Sequence, residues 1–368
     1  MMVACSSSPA PGPAPSATAS PLAPAARPPS SLAASPAASP SARSVPSPSV
    51  AFSPSPSPVV APVVPSPSPV ATGPTPTATA VPFALDDHPF AVMIDNIAEA
   101  RPQVGLEAAD VIYEAPAEGG IPRLMPLYLR AGGNADRIGP VRSTRHYFVY
   151  LANEYRAPLV HIGASPQGFA ALTATGLPDI QELAGNQVFT RDPRRLAPHN
   201  AYVSTDSVRA ELERQAIATD AGTAGLSFGA FAPGPAAATH VAIAYPGSPQ
   251  YIVEYDYDAD TQTYARTMDG APHTDGDSGD RYAARSIIVQ QVDVEPIPGD
   301  RDGRVDVGLV GTGQGTLIAN GTQVDLDWSK ADEGSPTEFQ RADGQPFRLP
   351  EGQVWIQLVP LDGQLTIG

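Results

Sequence analysis

From Pro89 onward the apolar residues of this chain fall into short runs, and the spacing of those runs changes along the sequence. PFAVMID (89–95), ADVIYEA (109–115), RLMPLYLR (123–130) and APLVHIGAS (157–165) are apolar stretches of strand length, the first reading as a buried strand. Pro126 cannot donate to a sheet ladder, so it places the third run near an edge or a bulge. Helical spacing predicts helices over 143–155, 166–173 and 204–216, with Ser143 or Thr144 as cap of the first and Ser204 or Thr205 of the last. Strands mixed with helices in this order predict an α/β layer arrangement.

Beyond residue 238 the pattern becomes strand-like: HVAIAY, YIVEYDYD, TYARTM, RSIIVQQVDV, RVDVGLVG, GTLIANGTQVDLDW and QVWIQLVP all read as β. Asn320-Gly321 lies between two alternating runs and is a two-residue hairpin signal, since both positions can take positive φ. The expected fold class is α+β. An N-terminal α/β domain with a mixed sheet (83–217) is followed by a linker rich in Ala, Gly and Pro (218–237). A mainly β domain (238–368), sandwich or open barrel, completes it.

The first 82 residues differ in kind. Half of the 44 prolines fall there among Ser, Ala and Thr, and Arg27 and Arg43 are the only charges between Ser6 and Pro82. Such a segment has too little large apolar surface to offset the entropy of ordering, so residues 6–82 are expected to be a disordered tether. Cys5 is the only cysteine, which leaves no intrachain disulfide. MMVAC followed by SSSPAPGPAPS looks like the end of a bacterial lipoprotein signal, so residues 1–5 read as its remnant and Cys5 as a lipidation site. An acylated Cys5 would anchor the protein outside the cytoplasm. The tether would reach roughly 240 Å extended, at about 3.1 Å per residue, or on the order of 50 Å as a coil. No stretch after Pro82 is long and apolar enough for a membrane-spanning helix.

The net charge of -16 is unevenly spread. Residues 83–215 carry 12 basic against 16 acidic side chains, and residues 216–368 carry 8 against 22. A chain this acidic is a poor non-specific partner for nucleic acid. Cations nevertheless gather in RIGPVRSTRHYFVYLANEY (137–155), where Arg142, Ser143, Arg145 and His146 surround the start of a predicted helix. Free N–H groups and arginine forks there suit an anion. That anion is either a ligand or an internal carboxylate, with Asp95, Glu114 and Glu118 as candidates at neighbouring strand ends. In open α/β sheets ligands bind beyond the carboxyl ends of strands, where Asn96, His161 and Ser165 also fall. The loop FTRDPRRLAPHNAYVS (189–204) adds Arg191, His199 and Asn200, either as functional groups or as turn-forming ones. The six histidines are scattered without ligand spacing, so no metal is expected, and no motif calls for a cofactor. DGDSGD (275–280) and GDRDGR (299–304) lack a full calcium-loop pattern.

AVMIDN, ARPQVGL, ADVIYEAPAEGGIPR, RIGPVRSTR, VHIGASP and APHNAY together resemble the YerB-like bacterial lipoproteins, which have an N-terminal domain of unknown function and a C-terminal companion. VGTGQGTLIANGTQVDLDWSK and PEGQVWIQLVP resemble the companion. The resemblance covers the chain from about Phe83 and implies a surface lipoprotein, in agreement with Cys5, but no reaction. Its pattern falls on Asp95, Asn96, Arg101, Glu114, Glu118, Gly119, Gly120, Arg123, Gly139, Pro140, Arg142, Ser143, Arg145, His161, Ser165, Arg191, His199 and Asn200.

Three readings follow. In the first, Asn96, Arg123, Arg142, Ser143, Arg145, Arg191, His199 and Asn200 bind an anionic cell-envelope ligand. In the second, the protein hydrolyses an envelope polymer or phosphoester, with Asp95, Glu114 or Glu118 as base and His161 or His199 as acid. In the third, the arginines and acids form one buried network that only holds the two domains together. The sequence names no partner protein.

Overall fold

The computed structural model describes residues 85–131, 133–182, 187–217, 222–247 and 251–368. Cys5, the signal remnant, the tether at 6–82 and positions 218–221 of the linker lie outside the described residues. The described chain is mostly β with some α.

The first stretch forms β1 (Leu85–Val92), β2 (Val111–Ala115), β3 (Arg123–Arg130), β4 (Leu159–His161) and β5 (Asp179–Gln181). Its helices are α1 (His146–Glu154), α2 (Pro166–Thr175) and α3 (Thr205–Arg214). Ser165 caps α2 by accepting from Gly168 N, and Ser204 and Ser207 form a reciprocal capping box on α3. The expected cap on α1 is corrected. Arg145 occupies that position with no side-chain cap, and Thr144 Oγ1 instead donates to the Arg145 carbonyl. Of the two expectations for Pro126, the edge is corrected, since β3 is an interior strand paired with β2 and β1, while the register of β1 against β3 does shift between Leu85 and Phe90, opposite Tyr128 to Arg130.

The second stretch forms β6 (His240–Tyr245), β7 (Tyr251–Asp258), β8 (Thr263–Met268), β9 (Ser286–Val292), β10 (Gly311–Ala319), β11 (Thr322–Lys330), β12 (Glu338–Arg341), β13 (Val354–Pro360) and β14 (Gln364–Ile367). The β10–β11 hairpin turns through Asn320 at φ 50 and Gly321 at φ 71, the two positive φ values that its sequence calls for.

These strands do not keep to their own stretch. One 11-stranded mixed sheet runs β12-β11-β10-β9-β13-β2-β3-β1-β4-β5, with Ala236–Ala237 added beside β11. The join is parallel: Val111 to Glu114 of β2 pair with Val354 to Gln357 of β13, and β13 pairs in parallel with β9 on its other side. β8, β7, β6 and β14 run consecutively in a six-stranded sheet, in which the short strands 271–272 and 283–284 both pair with β8.

Side chains of the large sheet alternate between two cores, and each core draws on both stretches. On one face Val111, Tyr113, Ile288, Val354, Ile356 and Leu358 pack with Phe148 and Leu151 of α1. On the other face Ile112, Ile287, Trp355 and Val359 pack with Val241, Ile243, Val253 and Tyr255 of the smaller sheet. Each face also carries a buried ion pair between the stretches. Lys330, the only lysine, meets Glu154 of α1 with Nζ–Oε1 at 2.6 Å, and Arg266 meets Glu114 with Nη2–Oε2 at 2.7 Å.

Candidate functional site

Asp95 lies just past the carboxyl end of β1. Ile94 is held between Leu124 and Val141 by bridges, and Asp95 N donates to the Pro140 carbonyl at 2.9 Å. The carboxylate is thereby buried with one oxygen, Oδ1, accepting from Asn96 N at 2.9 Å. Its other oxygen, Oδ2, is 2.7 Å from His199 Nδ1 and 3.1 Å from Arg142 Nε. The His199 contact is aligned as a hydrogen bond, whereas Arg142 Nε is close but not aligned as one. A carboxylate can only accept, so Nδ1 carries the proton, and a ring protonated at Nδ1 alone presents Nε2 as a bare acceptor. Nε2 has no protein partner among the described residues.

His199 reaches this place because its loop is closed at both ends. Thr190–Arg191 pairs with Ala201–Tyr202, and His199 N donates to the Leu196 carbonyl at 3.0 Å. Arg195 fastens the loop to the neighbouring 99–102 segment. Its Nη1 donates to Pro102 O at 3.1 Å and Tyr202 Oη at 2.8 Å, and its Nη2 to Glu99 O at 3.0 Å and Arg101 O at 3.1 Å. The Arg101–Pro102 and Ala197–Pro198 peptide bonds flanking this junction are cis.

Between loop and segment opens a cleft of about 810 Å³, lined by Arg101, Arg137, Arg194, Arg195, His199 and Tyr202, with Gly276 and Asp277 from the second stretch. Arg137 lies 4.2 Å over the Tyr202 ring and reaches Asp277 at 2.6 Å and Asp192 at 3.3 Å. Hydrogen bonds from Arg194 and the nearby guanidinium charges hold Asp192 well below the usual carboxylate range. Arg101 pairs with Asp269 at 2.6 Å. Arg195 has no carboxylate within ion-pair distance among the described residues, so its charge is met only by carbonyl dipoles and a phenol.

The other predicted residues do not come to this cleft. Arg145 Nε donates to Glu118 Oε1, and Arg123 Nη2 lies 3.4 Å from Glu118 Oε2. Burial would raise the Glu118 carboxyl, but the Arg145 hydrogen bond and the two guanidinium charges outweigh it and lower its pKa. Arg123 Nη1 also donates to Ser143 O at 2.8 Å, which uses the Ser143 backbone rather than its hydroxyl. Arg191 turns away to Glu182, with Nε–Oε1 at 2.9 Å, and to Asn200 Oδ1 at 2.7 Å. His161 is buried with Nδ1 on Gly163 O at 2.8 Å and Nε2 on Asp179 at 3.1 Å, so both its nitrogens are occupied. The expectation that Arg142, Arg145 and Arg191 surround one anion is therefore corrected. Two of the three already have a carboxylate of their own, and Arg142 leans on Asp95.

Glu114 is corrected as well. It is fully buried, accepts from Tyr251 Oη at 2.8 Å and is paired with Arg266, far from any open surface in chemical terms. The network continues from Tyr251 Oη to Asn96 Nδ2 at 2.9 Å and from Gln103 Nε2 to Asn96 Oδ1 at 2.9 Å. Gln103 Oε1 in turn accepts from His273 Nε2 at 2.9 Å, and His273 Nδ1 accepts from Arg266 Nη1 at 3.1 Å. Burial and the Arg266 charge keep the His273 pKa well below the ordinary value, which matches these donor and acceptor roles. Sequence reading missed Arg266 although TYARTM places it between Tyr264 and Met268 on the inward face of an alternating strand. It also passed over Arg137, Arg195 and Tyr202, whose proximity depends on two distant loops closing together. Among the described residues no three His, Cys, Asp or Glu side chains are grouped as metal ligands would be.

At the far side of the 275–280 loop, burial and the Asp275 and Asp277 carboxylates push Glu107 up to about 7 from its ordinary 4.5. Folding therefore favours the protonated form. This contribution is complete below the unfolded pKa and is lost as pH rises through about 7. Glu107→Gln is expected to flatten the decline in thermal stability between pH 4.5 and 7. Solvent screening at this partly exposed carboxyl limits the effect to about 1 kcal/mol. Parallel melts of both proteins across that range check it, and equal slopes would contradict it.

Comparison with known proteins adds the following. Two family models match, described as "Protein of unknown function (DUF3048) N-terminal domain" over residues 72–218 and "Protein of unknown function (DUF3048) C-terminal domain" over residues 241–356. "Putative lipoprotein YerB" of Bacillus subtilis (strain 168) is 32% identical over 275 residues, spanning 74% of this chain and 81% of that protein. The crystal structure of YerB from Bacillus subtilis superposes with a TM-score of 0.66 at 30% identity, covering 76% of this chain and 94% of that one.

Proposed function

This chain belongs to the DUF3048 family, and from that premise we propose that it is an extracytoplasmic lipoprotein, anchored through lipid on Cys5, whose cleft binds an anionic ligand of the cell envelope. The relative described as a lipoprotein supports the anchor, as does the small-residue context of Cys5. No helix among the described residues is long and apolar enough to cross a membrane, so attachment falls to the lipid in this reading. Residues 6–82 serve as the tether that lifts the folded part from the membrane.

One observation carries the binding reading: in a protein of net charge -16, four arginines and His199 line one cleft, and one of those arginines, Arg195, has no carboxylate partner among the described residues. Arg195 and Arg137 supply the attraction, Arg101 can exchange the exposed Asp269 carboxylate for ligand oxygens, Arg194 is itself largely exposed, and Arg142 meets the Asp95 carboxylate that holds His199. Poly(glycerol phosphate), a phosphodiester-linked polyanion, is a suitable probe for the full chain. Titration calorimetry at low salt is expected to show binding that weakens as salt rises. Arg137→Ala is expected to weaken it about 3- to 10-fold, in keeping with a charge-assisted hydrogen bond of about 1 kcal/mol at a partly exposed site. Equal affinity in that variant and in Arg194→Ala would count against the cleft. The Asp95–His199 contact favours a second reading of the same cleft, in which a bound envelope polymer or phosphoester is also cleaved.

A further inference from the structure

We propose that His199 is a general base in this cleft, that Asp95 is its positioning residue, and that the bond cleaved is a phosphodiester of an anionic substrate. The proposal rests on the anion-binding reading above and extends it from binding to chemistry. Asp95 Oδ2 accepts from His199 Nδ1 at 2.7 Å, while Oδ1 is fixed by Asn96 N at 2.9 Å and the carboxylate is buried. A carboxylate locked in this way sets the tautomer and aim of the imidazole and leaves Nε2 as the acceptor, the arrangement by which a histidine takes a proton from a nucleophile. The His199 ring lines the cleft and its side chain is 15% exposed, so water reaches it.

The substrate class follows from the other charges. Glycoside cleavage needs two carboxyls about 5–9.5 Å apart, one of them protonated at working pH. Among the described residues three carboxyls line the cleft, Glu99, Asp192 and Asp277, and arginines take up two of them, Asp192 with Arg194 and Arg137 and Asp277 with Arg137, so no free pair is left. A phosphodiester needs no such pair. It brings its own negative charge to the arginines, and its charge grows on the non-bridging oxygens in the transition state, where guanidinium groups act. In the step proposed, a water molecule gives a proton to His199 Nε2 as its oxygen bonds to phosphorus. The P–O bond to the leaving oxygen breaks with its electron pair. That oxygen then takes the proton from His199, or departs as a stable anion while His199 releases the proton to solvent water.

The test uses the full chain and bis(p-nitrophenyl) phosphate, with release of p-nitrophenolate as the signal. Wild-type protein is expected to cleave it, and His199→Ala to lose at least about 100-fold in kcat, the lower range for general-base catalysis. Added imidazole should restore a measurable part of that loss. Asp95→Asn should lower kcat and change its pH profile, because an amide no longer fixes the Nδ1–H tautomer. The circular dichroism spectrum and melting curve of His199→Ala should match wild type, showing that the loss is not one of folding. Wild type that binds the polyanion but releases no p-nitrophenolate above the buffer rate overturns this proposal and leaves the binding reading standing. Cleavage by His199→Ala at the wild-type rate also overturns it. Protein that neither binds nor cleaves refutes both.

Discussion

Glu114→Gln is expected to lower the stability of the folded protein by about 3–5 kcal/mol, the cost of leaving one member of a buried ion pair uncompensated. Neither Glu114 nor Arg266 has any exposed side-chain surface, and their contact is 2.7 Å. Burial works against the charged guanidinium, but the Glu114 carboxylate and the oxygens of Tyr255 and Tyr251 outweigh it and raise the Arg266 pKa. Trp355 lies 4.5 Å from the guanidinium carbon, so the cation is also stacked. A carboxamide at position 114 can accept one hydrogen bond but cannot balance the charge. With typical stabilities of about 5–15 kcal/mol, the loss is a large fraction of the total. Guanidinium chloride unfolding of both proteins at pH 7 checks it, and a difference under about 1 kcal/mol would contradict it. Replacing both partners with apolar residues, Glu114→Leu with Arg266→Met, is expected to recover most of the loss. The tyrosine hydroxyls left behind set the remainder.

A chain ending at residue 217 is expected not to fold cooperatively, although the first family model ends close to that position. β2 would lose its parallel partner β13, and with it Val354, Trp355, Ile356, Leu358 and Val359, all buried between the two cores. Each such side chain is worth about 1.5–3 kcal/mol when buried, so the five together approach the whole stability of a domain. Glu114 and Glu154 would each lose the cation that neutralises them. Circular dichroism through a denaturant series is the measurement. A sharp unfolding transition in the shortened chain, with its own baseline, would show that the first stretch is self-sufficient.

The same two regions show why some of this molecule is legible in its sequence. The helix at 204–216 is written in Ser204 and Ser207, which satisfy free N–H groups within one turn, and the hairpin at Asn320-Gly321 in the two residue types that accept positive φ. The Asp95, His199 and Arg142 candidates were legible as residues with the right chemistry at a strand end or in a polar loop. Their meeting was not, because His199 is 104 positions from Asp95 and is brought there by loop contacts of Arg195 with three carbonyls. Arg145 and Arg191 belong to the same class of signal in sequence, yet Glu118 and Glu182 take them up.

By itself the sequence determined what short-range chemistry controls: the Pro-, Ser- and Ala-rich opening 82 residues without large apolar surface, the alternation that makes strands, the caps and the tight turns. Tertiary structure decided what depends on partners far along the chain. A strand buried on both faces, such as VWIQLVP, has no outward side to mark its neighbours, so only packing could seat it between β2 and β9 and merge two stretches into one sheet. Charge behaves alike: a guanidinium is equally ready for a ligand or a carboxylate, and whichever the fold brings within about 4 Å decides which it meets.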